Sequence, residues 1–81
     1  MNDNMARLLA YIERYRDAHG KSPTHDEMRN AMGWANKSYV NQALINMDRL
    51  GFLRRIPGKP RSIYATRSGL QMIQTSEAAN G

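Results

Sequence analysis

Ser38, Asn41, Gln42, Ile45 and Arg49 recur at three- and four-residue spacing, so on a helix they share one face. Carboxamides, a hydroxyl and a guanidinium are the groups that pair with base edges. Asn41 and Gln42 can each make a two-point contact with adenine, and the Ser38 hydroxyl suits either a purine or a pyrimidine edge. A good two-point contact discriminates between bases by about 1–3 kcal/mol. A second set follows in Arg54, Arg55, Lys59 and Arg61. These cations suit phosphates or a minor groove, and each phosphate they neutralise releases counterions. Arg54-Arg55 on a strand would also deter sheet-to-sheet aggregation, and the two roles are compatible.

Other chemistries find no support. The 81 residues include no cysteine, which removes disulfides, thiolate zinc sites and cysteine nucleophiles. His19 and His25 lack a histidine at i+4 and clustered carboxylates, so no metal ligand set is expected. No P-loop, G-x-G-x-x-G or G-x-S-x-G occurs, so neither an enzyme, a cofactor nor a small-molecule substrate is expected. The longest apolar run, Leu8 to Ile12, falls far short of the ~20 residues that span a bilayer. No basic-then-apolar leader opens the chain, and the expected setting is the cytoplasm, at the nucleoid.

Charge narrows the partner. Basic and acidic residues balance over positions 1–48, whereas Arg49, Arg54, Arg55, Lys59, Arg61 and Arg67 face Glu77 alone over positions 49–81. The whole net charge of +5 therefore lies in the C-terminal part. Such a field attracts a polyanion, and nucleic acid is the usual one.

These side chains must be held by a single small domain, since a chain of this length buries only about 60% of its unfolded surface. Met5, Leu8, Leu9, Ile12 and Tyr15 make one apolar stripe on a helix from Asp3 to His19, closed by Gly20. Pro23 keeps Ser22 extended. Thr24 and Glu27 form a capping box for a second helix, which buries Met28, Ala31 and Met32 and ends at Gly33. Asn36 or Ser38 caps a third helix running to Leu50, with Val40, Ala43, Leu44, Met47 and Leu50 inward. Beyond Gly51, Phe52 to Ile56 and Arg61 to Ala65 read as strands around a Pro57-Gly58-Lys59-Pro60 turn. Ser68 is placed to cap a short last helix with Leu70 and Ile73 inward. The domain is expected over residues 1–74, with 75–81 as a disordered tail.

A helix, two short helices joined by a tight turn and a charged hairpin make a winged helix-turn-helix, mainly α with a small β-hairpin. From Leu8 to Ala65 the chain resembles the N-terminal DNA-binding domain of the LexA repressor family. The likeness rests on Gly20-x-Ser22-Pro23-Thr24, on Met28, Met32 and Gly33-Trp34, and on Leu44, Met47 and Leu50-Gly51-Phe52-Leu53. It implies that the third helix enters a major groove, with base-reading positions at Ser38, Asn41 and Gln42. Asn36 and Tyr39 would lie close to the backbone or base edges, and Trp34 would be a core aromatic. Tyr39 stands between a DNA contact and a contact with the second helix. Where family members carry glutamates this chain has Asn41 and Gln42, so its preferred operator should differ. Family repressors continue into a Ser/Lys self-cleaving, dimerising domain, and the expectation here is a stand-alone domain without self-cleavage.

The resulting expectation is a bacterial or phage transcriptional regulator, such as a repressor, that binds double-stranded DNA. Base reading falls to Ser38, Asn41, Gln42 and Tyr39, and backbone or wing contact to Asn36, Lys37, Arg49, Arg54, Arg55, Lys59 and Arg61. Thr24 and His25 could touch phosphates beside Lys37. Two copies could pair on half-sites, with Leu70, Met72 and Ile73 either joining copies or closing the core behind the first helix. The alternative is a winged-helix interaction module for a polymerase or another regulator, for which Ile45 and Tyr39 would be the sensitive positions.

Overall fold

A computed structural model of the protein describes residues 3–56, 58 and 62–80. Four helices and one antiparallel hairpin follow in the order α1 (Asp3–His19), α2 (His25–Met32), α3 (Lys37–Leu50), β1 (Leu53–Arg55), β2 (Ile63–Ala65) and α4 (Arg67–Asn80). The architecture is a winged helix-turn-helix with a fourth helix behind it. Among the described residues no helix is long and apolar enough to cross a membrane.

Central α1 touches α2, α4 and β2, while α3 packs on α2 and β1. Its stripe of Leu8, Leu9 and Ile12 is fully buried, joined by Ala6 one turn before Leu9 and Ala10. Ser22 and Pro23 are buried in the extended connection to α2. There the Thr24 hydroxyl accepts from the Glu27 N–H at 3.1 Å, and the Thr24 N–H donates to the Glu27 carboxylate at 2.8 Å. The reciprocal box satisfies two donors that a helix start leaves open. The other oxygen of Glu27 accepts from the Tyr15 hydroxyl at 2.8 Å, so the same carboxylate ties α2 to α1.

The turn between α2 and α3 is fixed by backbone. Gly33 adopts φ 72°, and the N–H groups of Gly33 and Trp34 return to the carbonyls of Asn30 and Arg29 at 3.2 and 3.1 Å. This double closure needs a left-handed residue, which favours glycine. Gly51 ends α3 in the same way at φ 84°. Asn36 caps the start of α3, its side-chain oxygen accepting from the Ser38 N–H at 3.0 Å.

The hairpin pairs Leu53 with Ala65, Arg54 with Tyr64 and Arg55 with Ile63. Leu53 and Ile63 point into the core. Two outward N–H groups of β2 find side chains elsewhere: Ile63 donates to the Ser22 hydroxyl at 3.4 Å and Ala65 to the Glu13 carboxylate at 3.0 Å. Glu13 also pairs with Arg16 at 3.1 Å, and the Arg16 guanidinium lies 5.9 Å from the centre of the Tyr64 ring. At the base of the hairpin, Thr66 donates its N–H to the Phe52 carbonyl at 3.0 Å and its hydroxyl to the Gly51 carbonyl. Towards the tip, Ile56 and Ser62 exchange hydrogen bonds at 3.2 Å.

Several expectations change. The strands are shorter than read, three residues each. Thr66, not Ser68, caps α4, because its hydroxyl accepts from the Gly69 N–H at 3.2 Å. Ala31 is exposed. Leu50 is 58% exposed, since it falls roughly 90° around the helix from the Val40–Leu44–Met47 stripe. Leu70 is 45% exposed, and Met72 takes the inward place in its stead. The cause is Gly69: a Cβ there would lie 2.0 Å from the Phe52 carbonyl oxygen and 2.8 Å from the Leu9 side chain. That near-contact sets the rotation of α4 and turns Leu70 outward. The helix also continues through positions 75–80, read from sequence as tail, where no glycine or proline interrupts it. Gly81 lies outside the described residues.

Candidate nucleic-acid interface

Burial of Val40, Leu44 and Met47 against the core fixes which side of α3 faces out. Ser38, Asn41, Gln42, Ile45 and Arg49 are all exposed on it. Among the described residues the side-chain amides of Asn41 and Gln42 have no hydrogen-bond partner, so both donors and acceptors are open. A helix presented in this way fits a major groove, whose width admits one α-helix.

The start of α3 is built differently. The Ser38 hydroxyl donates to the Asn36 side-chain oxygen, which also holds the Ser38 N–H. Asn36 is therefore occupied as a cap, while Ser38 keeps its oxygen lone pairs as acceptors. Lys37 sits 3.7 Å from the Asp26 carboxylate, and Arg29 reaches the same oxygen at 3.9 Å. Such exposed pairs are weak and exchangeable. Tyr39 is 55% exposed and meets Trp34 edge-on, with centroids 6.5 Å apart. Its neighbour is thus the turn residue after α2, and its outer side stays open. Trp34 itself is half-buried against the core. Thr24 has its hydroxyl in the capping box, and His25 is exposed beside it.

The wing cations separate into distinct kinds. Arg54 turns back onto the end of α3, where one guanidinium nitrogen donates to the Asp48 carbonyl at 3.0 Å and meets its carboxylate at 3.2 Å. The same nitrogen donates to the Leu53 carbonyl at 2.9 Å. A cation at this place also offsets the negative end of the helix dipole. Arg55 is exposed with no ion pair among the described residues. Arg49 donates to Asn46 at 3.1 Å. Lys59 and Arg61 lie outside the described residues.

Together α3 and β1 form a shallow groove of about 530 Å³ lined by Ile45, Asp48, Arg49, Arg54 and Arg55. A smaller hollow of about 310 Å³ lies between the start of α1 and α3, lined by Asn4, Met5, Trp34, Tyr39, Ala43 and Asn46. Sequence reasoning missed Glu13 and Ser22, which moor β2 and hence aim the wing. Glu13 reads locally as a solvated helix charge, and nothing near it in the chain announces a partner 52 positions away.

Comparison with known proteins bears on this face. The LexA DNA binding domain family matches residues 2–62. The chain is 35% identical over 72 residues to the LexA repressor of Limosilactobacillus fermentum, covering 89% of this chain and 34% of that protein. It is 36% identical over 66 residues to the LexA repressor of Ligilactobacillus salivarius, covering 82% and 32%. With the LexA repressor of Rhodospirillum rubrum it shares 33% over 60 residues, covering 74% and 24%. The chain thus spans about a quarter to a third of the length of these curated relatives.

Proposed function

The chain belongs to the LexA DNA-binding domain family, and from that membership we propose that it is a transcriptional regulator that binds double-stranded DNA. In this reading α3 lies in the major groove, where Asn41 and Gln42 read bases with Ser38 as an added acceptor and Tyr39 beside them. Arg49 and Lys37 reach phosphates at the two ends of α3. The hairpin grips the neighbouring backbone or minor groove through Arg55, with Lys59 and Arg61 assigned there from sequence. The observation that carries the reading is the pair of unengaged amides on the outward face of α3. The role is binding rather than catalysis, and its place of action is the nucleoid.

One such module buries about 600–1,000 Å² on DNA, so tight, selective binding calls for two copies on paired half-sites. Among the described residues of α4, Leu70 is the large apolar side chain most open to a second copy; Met72 serves the core instead.

The test is fluorescence anisotropy with a randomised duplex pool, followed by sequencing of the bound fraction. If the domain covers about four phosphates, affinity should fall roughly a hundredfold between about 50 and 200 mM salt. Asn41→Ala and Gln42→Ala should each lose discrimination at particular base pairs by about five- to a hundredfold. Absence of binding at low salt would remove the proposal and turn attention to a protein partner.

A further inference from the structure

Resting on the reading of α3 as a major-groove helix, we propose that Ile45 is a specificity-determining residue that reads the 5-methyl group of thymine. Ile45 is 47% exposed and stands on the same face as Asn41 and Gln42, one helical turn beyond Asn41. On a face otherwise made of amides, a hydroxyl and guanidinium groups, it is the one apolar member. In the major groove the only apolar feature of a base edge is the thymine methyl. As a β-branched residue on a helix, Ile45 holds essentially one χ1 rotamer, so its methyl groups are presented at a set place.

Its surroundings select for an apolar group carried on a polyanion. Ile45 lines the groove between α3 and β1 together with Arg49, Arg54 and Arg55. The one acid there, Asp48, is paired with Arg54 at 3.2 Å, so it is already neutralised. An apolar spot rimmed by cations repels no phosphate and offers the methyl a dry contact between two phosphate rows. Spacing makes the assignment specific. Four residues advance a helix by about 6 Å, and base pairs are stacked at about 3.4 Å. The thymine read by Ile45 therefore lies within about two base pairs of the pair read by Asn41.

The duplex enriched from the randomised pool supplies the probe, synthesised with dU replacing each dT in turn, which removes the methyl and keeps the pairing. The wild-type domain should lose about fourfold in affinity at one dT per half-site, the factor carried by one buried methyl. Ile45→Ala should bind the dT and dU forms of that duplex equally, and Ile45→Val should keep most of the difference. Because Ile45 is exposed, both variants should melt like the wild type, checked by circular dichroism. If the wild type binds the dT and dU duplexes alike, or if Ile45→Ala keeps the full difference, Ile45 does not read the methyl and DNA binding still stands. If the wild type binds no duplex at all, the reading of α3 fails with it.

Discussion

Two adjacent arginines on one strand look interchangeable in sequence and are not interchangeable in space. Arg55 is open to solvent, whereas Arg54 brings the end of α3 and the start of β1 together through the Asp48 and Leu53 carbonyls. Arg55→Glu should therefore weaken DNA binding broadly across sequences, by about tenfold or more, with little change in melting temperature. That follows because a lost phosphate contact carries no base information. Arg54→Glu should weaken binding too, but it also places a carboxylate beside Asp48 and the negative end of α3. A drop in thermal stability is expected for that variant alone. Parallel melts and anisotropy titrations of the two single variants separate the roles, and identical behaviour in both assays would refute the division. The outward face of α3 was legible in the chain: the spacing of Ser38, Asn41 and Gln42 already put them on one side, and all three are exposed there. What local sequence could not supply was partnership. The commitment of Arg54 to α3 leaves no mark in the neighbouring residues, whereas the cap at Asn36 was one of two that the chain offered.

At the level of elements, helices α1 to α3 could be read because their ends and their stripes are both local properties. Thr24-x-x-Glu27, Gly33 and Gly51 mark ends, and Leu8, Leu9 and Ile12 mark a buried side. Two of the errors, at Leu50 and Leu70, arise where apolar identity was taken for inward direction. Leu50 and Leu70 are apolar but sit at the edge of their stripes, and direction there depends on what the helix packs against. For α4 that surface is the Phe52 carbonyl and Leu9, which admit a residue without a side chain. Gly69→Ala should accordingly force α4 to shift. Overpacking of this kind costs about 1–3 kcal/mol, and a domain of this size should lose roughly 4–8 °C in melting temperature per kcal/mol. A Gly69→Ala variant melting like the wild type would show that α4 is not seated where it is described. Glu13 and Ser22 could not have been found from sequence for a related reason. They close the free edge of β2 across long stretches of chain, and such pairing has no periodicity.

For the molecule as a whole, charge is divided along the chain. The balanced first part contains α1, α2 and most of α3; Glu13 pairs with Arg16 and Asp26 with Lys37 inside it, while Asp48 pairs across the boundary with Arg54. The unbalanced second half carries the wing. The hairpin that bears this charge is closed at its base by Thr66 on Gly51 and Phe52, and closed again by Ile56 and Ser62. A strand pair sealed on its inner side behaves as a socket, and whatever joins Ile56 to Ser62 is an exchangeable fitting. Lengthening a loop is thermodynamically cheap, about 0.6 kcal/mol for each doubling. Four Gly-Ser residues inserted after Gly58 should leave the melting temperature within a few degrees of the wild type while changing the grip on DNA. Calorimetry beside anisotropy measures both, and collapse of the fold on insertion would contradict the socket. Binding strength and base choice would then be separately adjustable, one by swapping the fitting and the other by rewriting the face of α3.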